Sequence, residues 1–152
     1  MVKRILLVED NPHDVELAMA ALQERELDSD VFVARDGEQA LDYLHRRGVH
    51  AARDPVQPAL ILLDLKLPKI LGSEVLAMVK RDPALRMVPV VVLTSSREDR
   101  DITESYRRGA NAYVVKPVDF SEFSRVVNEV ATFWTVVNQP PPGCIDRRAP
   151  MG

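Results

Sequence analysis

The chain has 152 residues, a length that predicts one domain, or one domain and a short tail. Hydrophobic residues make up 46% and charged residues 28%, enough for a packed core and too apolar for disorder over most of the length. A formal charge of −3 argues against nonspecific nucleic-acid binding, and the chain has no run of about 18 apolar residues that could span a membrane.

The opening, MVKRILLVEDNP, has only a short apolar run before acids appear, without the long apolar stretch and small-residue cleavage site of a signal peptide. Residues 4–8 (RILLV) read as a buried strand. Residues 14–26 follow with Val15, Leu17, Ala18, Ala21 and Leu22 at helical spacing; Asn11 suits the cap and Pro12 the first turn. Residues 31–34 are a weaker strand. Asp36-Gly37 marks a turn, and Ala40, Leu41 and Leu44 carry a second helix that Gly48 can end. Residues 49–58 have no period and read as a loop.

Residues 60–63 form a third strand ending at Asp64, and residues 72–81 a helix ended by the pre-proline Asp82. Residues 90–93 are a fourth strand ending at Thr94, and 97–108 a helix closed by Gly109. Residues 112–115 are a fifth strand ending at Lys116-Pro117, and 120–137 the last helix. Residues 138–152 are Pro/Gly-rich and aperiodic, so the expected organisation is a domain over 1–137 with a C-terminal tail and no output domain. The single cysteine, Cys144, falls in that tail and excludes an intrachain disulfide; the expected compartment is the cytoplasm.

Strand–helix units in succession imply a parallel sheet with helices on both faces, and the apolar runs suit strands covered on both sides. The strand ends carry the chemistry. Strand one ends in Glu9-Asp10, strand three in Asp64, strand four in Thr94, and strand five in Lys116. Open α/β sheets bind ligands outside the carboxyl ends of their strands, where the winding reverses. If strands one and three are neighbours there, three carboxylates converge beside a hydroxyl and an ammonium. Such carboxylates repel, and one lysine does not offset them. A hard divalent ion fits, and Mg²⁺ held by carboxylates, waters and a phosphate is the usual arrangement. A carboxylate so placed suits covalent phosphoryl capture.

VEDN (8–11), LLDLKLP (62–68), VVLTSS (91–96) and GANAYVVKP (109–117), in register over residues 3–137, resemble the receiver domain of bacterial response regulators. The loop before Leu60, the segment KRDPALRMVPVVVLTSS and the long last helix resemble, more narrowly, the single-domain regulators that partner phytochrome histidine kinases. The resemblance implies a flavodoxin-like, doubly wound sheet of five parallel strands in the order 2-1-3-4-5 with five helices. It implies Asp64 as phosphoacceptor, Asp10 as direct Mg²⁺ ligand, Glu9 as the second acid, and the backbone carbonyl of Lys66 as a further metal contact. Thr94 would be the switch hydroxyl, Lys116 the phosphate-binding lysine with a cis bond to Pro117, and Tyr113 the aromatic that turns inward when Thr94 moves. The implied partner is a histidine kinase, a bacteriophytochrome in the narrower reading. Glu9 departs from the aspartate of many receivers by one methylene and keeps the charge.

Taken singly, these residues have plainer readings. Asp10 could cap a helix, Thr94 could be a strand-end residue, and Tyr113 could simply pack. Lys66 suits a surface position or one above the phosphoryl group. His13, His45 and His50 lack metal-ligand spacing and are expected to face solvent. In the last helix Phe120, Phe123, Val127, Val130, Trp134 and Val137 form one stripe, widened by Val126 and Phe133, broader than the roughly 100° a sheet-covering helix needs. The surplus points to a homodimer using Phe123, Val127, Val130 and Trp134. Two other functions compete with the phosphorylation switch. A phosphohydrolase working through an aspartyl-phosphate is disfavoured because Lys66 stands where such enzymes place a second acid, and a phosphorylation-independent scaffold is disfavoured by the complete acceptor set. Neither G-x-G-x-x-G nor G-x-x-x-x-G-K-[ST] occurs, which counts against a nucleotide enzyme.

Overall fold

The computed structural model describes residues 3–28 and 30–148; the outer ends of the two expected segments, residues 1–2 and 149–152, lie outside them. Five strands alternate with five helices: β1 (Ile5–Val8), α1 (Pro12–Glu24), β2 (Val31–Ala34), α2 (Gly37–His45), β3 (Leu60–Leu63), α3 (Gly72–Arg81), β4 (Val90–Thr94), α4 (Asp99–Arg107), β5 (Ala112–Val115) and α5 (Phe120–Thr132). The strands are parallel in the order β2-β1-β3-β4-β5, as the resemblance implied.

Alternation along the strands builds two cores. Leu6, Val8, Ile61, Leu63, Val90 and Val92 point to one face, where Leu41 and Leu44 of α2 and Val75, Leu76 and Val79 of α3 cover them. Ile5, Leu7, Leu60, Leu62, Val91 and Leu93 point to the other, against Ala18, Ala21 and Leu22 of α1 and Phe123, Val127 and Ala131 of α5. The central strands are thus sealed on both sides. The edge strands β2 and β5 are mostly half-buried.

Several local expectations change. α1 begins at Pro12 because Asn11 Oδ1 accepts from the backbone N–H groups of His13 and Asp14 at 2.9 and 3.2 Å, satisfying orphan donors of the first turn. α2 ends at Arg46, which takes the left-handed conformation (φ 55°) before Gly48 is reached. His50 is half-buried, its ring edge set against Phe32 and Tyr43 at 4.7 and 5.3 Å.

The last helix does not run uniformly to Val137. α5 stops at Thr132 and continues as a π-helical turn over Phe133–Val137. The turn breaks the 3.6-residue register of the stripe. Phe123 (3% exposed) and Val127 (1%) belong to the domain's own core and cannot line a dimer surface; the α5 stripe was broad because it covers both the sheet and α1. Val130 and Trp134 are half-buried against the same core, leaving Phe133, Val136 and Val137 exposed.

Residues 138–148, read from sequence as a tail, fold back along the amino ends of the strands. A single 3-10 turn spans Pro142–Cys144, the Gly143 carbonyl accepts from the Gln57 N–H at 3.0 Å, and Cys144 and Ile145 are buried. The buried Arg4 guanidinium, at the start of β1, donates to both carboxylate oxygens of Asp54 (2.5 and 2.6 Å), to Asp30 (2.8 Å) and to the Val56 carbonyl (2.9 Å). Arg148 reaches the same Asp54 at 3.0 Å, and Asp146 lies 3.7 Å from Arg4. An aperiodic sequence gave no hint of this clamp, whose most distant partners, Arg4 and Asp146, are 142 positions apart.

Candidate functional site

The pairing of β1 with β3 brings their carboxyl ends side by side, with Val8 opposite Leu63, so Glu9 and Asp64 emerge next to each other. Glu9, Asp10 and Asp64 each place a carboxylate oxygen within 4.8 Å of the other two. β4 pairs with β3 and β5 with β4, which sets Thr94 and Lys116 on the same rim. Residues distant in sequence are therefore gathered by strand order alone.

Lys116 Nζ donates to three carboxylates: Glu9 Oε1, Asp14 Oδ2 at 2.9 Å and Asp64 Oδ2 at 3.0 Å. Burial lowers the basicity of this ammonium, but the hydrogen bonds to Asp14 and Glu9 and the charge of Asp64 outweigh it, and Lys116 is held above its ordinary range. Glu9 is 4% exposed; burial pushes its carboxyl up to about 7 against the opposing pull of Lys116, and the neighbouring Asp64 adds to the rise. The site thus holds more negative charge than its lysine offsets. An all-oxygen donor set with surplus negative charge fits a hard divalent cation, and Glu9, Asp10 and Asp64 are the residues that could hold one.

Thr94 is wholly buried, and its hydroxyl has no hydrogen-bond partner among the described residues. An orphaned buried hydroxyl is costly, and at this rim it is a donor available to an incoming oxygen. Tyr113 is half-buried, packed against the α2/α3 core, with its hydroxyl donating to the Ser96 carbonyl at 3.0 Å. The Lys116–Pro117 bond is trans, not cis as expected. Lys116 follows the end of β5, and its N–H donates to the Thr94 carbonyl at 2.8 Å. Lys66 is exposed, and its N–H approaches Asp64 Oδ1 at 3.4 Å.

Two residues escaped the sequence reading. Asp14 lies in the first turn of α1 while Asp10 precedes the helix, so no helical spacing links the two, and only the pairing with Lys116, 102 positions on, marks it. Gly72, the first residue of α3, packs so tightly under Asp64 that a methyl group there would stand 2.0 Å from the Asp64 carbonyl oxygen. No local pattern marks that approach.

A family model for the response regulator receiver domain matches residues 5–128. The response regulator Rcp1 of Synechocystis sp. is 39% identical over 132 residues, 87% of this chain and 88% of that protein. Its Mn²⁺-bound structure superimposes with a TM-score of 0.85 at 37% identity, over 91% of this chain and 99% of that one. The phosphorylated cyanobacterial phytochrome response regulator RcpA gives a TM-score of 0.87 at 40% identity, covering 93% of this chain and 99% of that one. The bacteriophytochrome response regulator RtBRR is 53% identical with a TM-score of 0.75, covering 95% and 87%. With its strand order, its acidic rim and these relatives, the chain belongs to the response regulator receiver family, as a regulator related to those of phytochromes.

Proposed function

We propose that the protein is a phosphorylation switch in which Asp64 accepts a phosphoryl group from the phosphohistidine of a histidine kinase. The observation that carries this reading is the placement of Asp64, 3.0 Å from Lys116 Nζ and within one cation's reach of Glu9 and Asp10. An Asp64 oxygen forms the new P–O bond as the P–N bond of the donor breaks, and the departing imidazole takes a proton from solvent. Lys116 and the Thr94 hydroxyl are the donors for the phosphoryl oxygens. Glu9, Asp10 and Asp64, with the Lys66 carbonyl, would hold a Mg²⁺ that would supply charge neutralisation at those oxygens.

Phosphorylation adds close to two negative charges beside Thr94. Turning the Thr94 hydroxyl toward them pulls on the end of β4, where the Ser96 carbonyl anchors Tyr113, and so reshapes the surface of α4, β5 and α5. Lys66 is exposed where a hydrolase would place a second acid, which supports a switch over an enzyme. The relatives named above favour a bacteriophytochrome as the kinase. The absence of any helix long and apolar enough to cross a membrane, among the described residues, is compatible with a cytoplasmic site of action. We assign a homodimer contact to the exposed Phe133, Val136 and Val137, and not to the buried part of the α5 stripe.

The test is incubation with acetyl phosphate and Mg²⁺, followed by intact mass. A gain of one phosphoryl mass that Asp64→Asn abolishes is the expected result. No gain, or an equal gain in the variant, would overturn the reading.

A further inference from the structure

Lys116 spends all three of its N–H donors on carboxylates, and the three partners are not alike. Glu9 and Asp64 belong to the acidic triad; Asp14 does not. It projects from the first turn of α1, half-buried, and Lys116 is its sole ion-pair partner among the described residues. An arriving cation must take Glu9 and Asp64 away from the lysine. Asp14 is the partner that Lys116 keeps. The geometry points to Asp14 as a positioning residue that holds the Lys116 ammonium aside and thereby lets the triad accept a divalent cation. This inference rests on the metal site read above.

Two consequences of removing the Asp14 charge act in one direction. Lys116 loses a competing acceptor and clings more closely to Glu9 and Asp64, which a cation must then displace. The rim also loses one negative charge. Only the first effect needs Lys116, so a variant cycle separates them. A substitution of Asp14 that merely alters the charge of the rim would weaken cation binding whether or not the lysine is present.

The experiment is a titration of the full chain with Mn²⁺ alone, read by calorimetry, for the native protein, Asp14→Asn, Asp14→Glu, Lys116→Met and the Lys116→Met/Asp14→Asn pair. Asp14→Asn should weaken binding about ten-fold, the scale of one partly buried charge-assisted hydrogen bond. Asp14→Glu should recover most of it. In the Lys116→Met background the Asn substitution should cost less than about three-fold, because little beyond general charge remains. Unchanged affinity in Asp14→Asn, or an equal loss with and without Lys116, would overturn the inference while leaving the metal site standing. If the native chain binds no Mn²⁺, the metal reading itself falls. Circular dichroism melts check folding, and should Asp14→Asn fail to fold, Asp14→Ser takes its place in the same cycle.

Discussion

Gly72→Ala tests the local geometry under Asp64. The backbone of Gly72 is not left-handed, since among the described residues the positive-φ glycines are Gly48 and Gly109, so an alanine could adopt its conformation. Helix propensity alone favours alanine by up to about 1 kcal/mol. Space decides otherwise. A Cβ at Gly72 would meet the Asp64 carbonyl oxygen at 2.0 Å and Leu65 Cα at 2.7 Å. Both are backbone atoms, and reaching ordinary contact near 3.4 Å requires the Asp64–Leu65 segment to retreat by about 1.4 Å. Overpacking of this kind costs about 1–3 kcal/mol, and more where backbone must move. The net expectation is a loss of about 2 kcal/mol, a fall in Tm of roughly 4–8 °C for a domain of this size. Phosphoryl uptake from acetyl phosphate should fall more than stability accounts for, because the shift displaces Asp64 from Lys116. A melt and a phosphorylation time course on the same preparation measure both. An unchanged or raised Tm with native uptake would refute the steric argument.

Three further outcomes follow from the same structure. Glu9 carries a carboxyl raised from 4.5 to about 7 by burial, so in EDTA the folded state holds the extra proton and stability should fall as pH rises from about 4.5 to 7; urea unfolding across that range reads the slope, Glu9→Gln should flatten it, and a rising slope would contradict the assignment. Arg4→Met strips the buried guanidinium from Asp54 and Asp30 and should cost about 3 kcal/mol in urea unfolding, because it strands paired carboxylates; a loss below about 1 kcal/mol would show the clamp to be dispensable. Phe133→Ser with Val136→Ser should leave the Tm near native, since both side chains are exposed, and convert a dimer to a monomer in light scattering; a native protein already monomeric, before and after phosphorylation, would refute the contact.

The fold was legible because its signals are local and repeated. Apolar runs such as ILLV at 5–8 and LILL at 60–63 alternate with helical periods, and the parallel sheet follows from their order. The rim was legible because each strand ends in a residue of distinct chemistry: Glu9-Asp10, Asp64, Thr94 and Lys116. What stayed hidden depends on pairing across distance. Asp14 matters only through Lys116, 102 positions away. Phe123 and Val127 obeyed the period expected of a surface stripe, but α1 and the sheet had already claimed that face. The π-helical turn at Phe133–Val137 then rotated the remaining apolar residues outward, a change of register that periodicity cannot foresee.

The docked C-terminal segment carries the chain's single thiol. Cys144 is 3% exposed, and burial pushes it up to about 11, so access and ionisation both protect it while the segment is seated. Its reactivity toward a thiol reagent is therefore a built-in gauge of how often the segment lifts. Because it sits at the amino ends of the strands, away from the acids, that gauge can be read without placing a label anywhere near the phosphorylation chemistry.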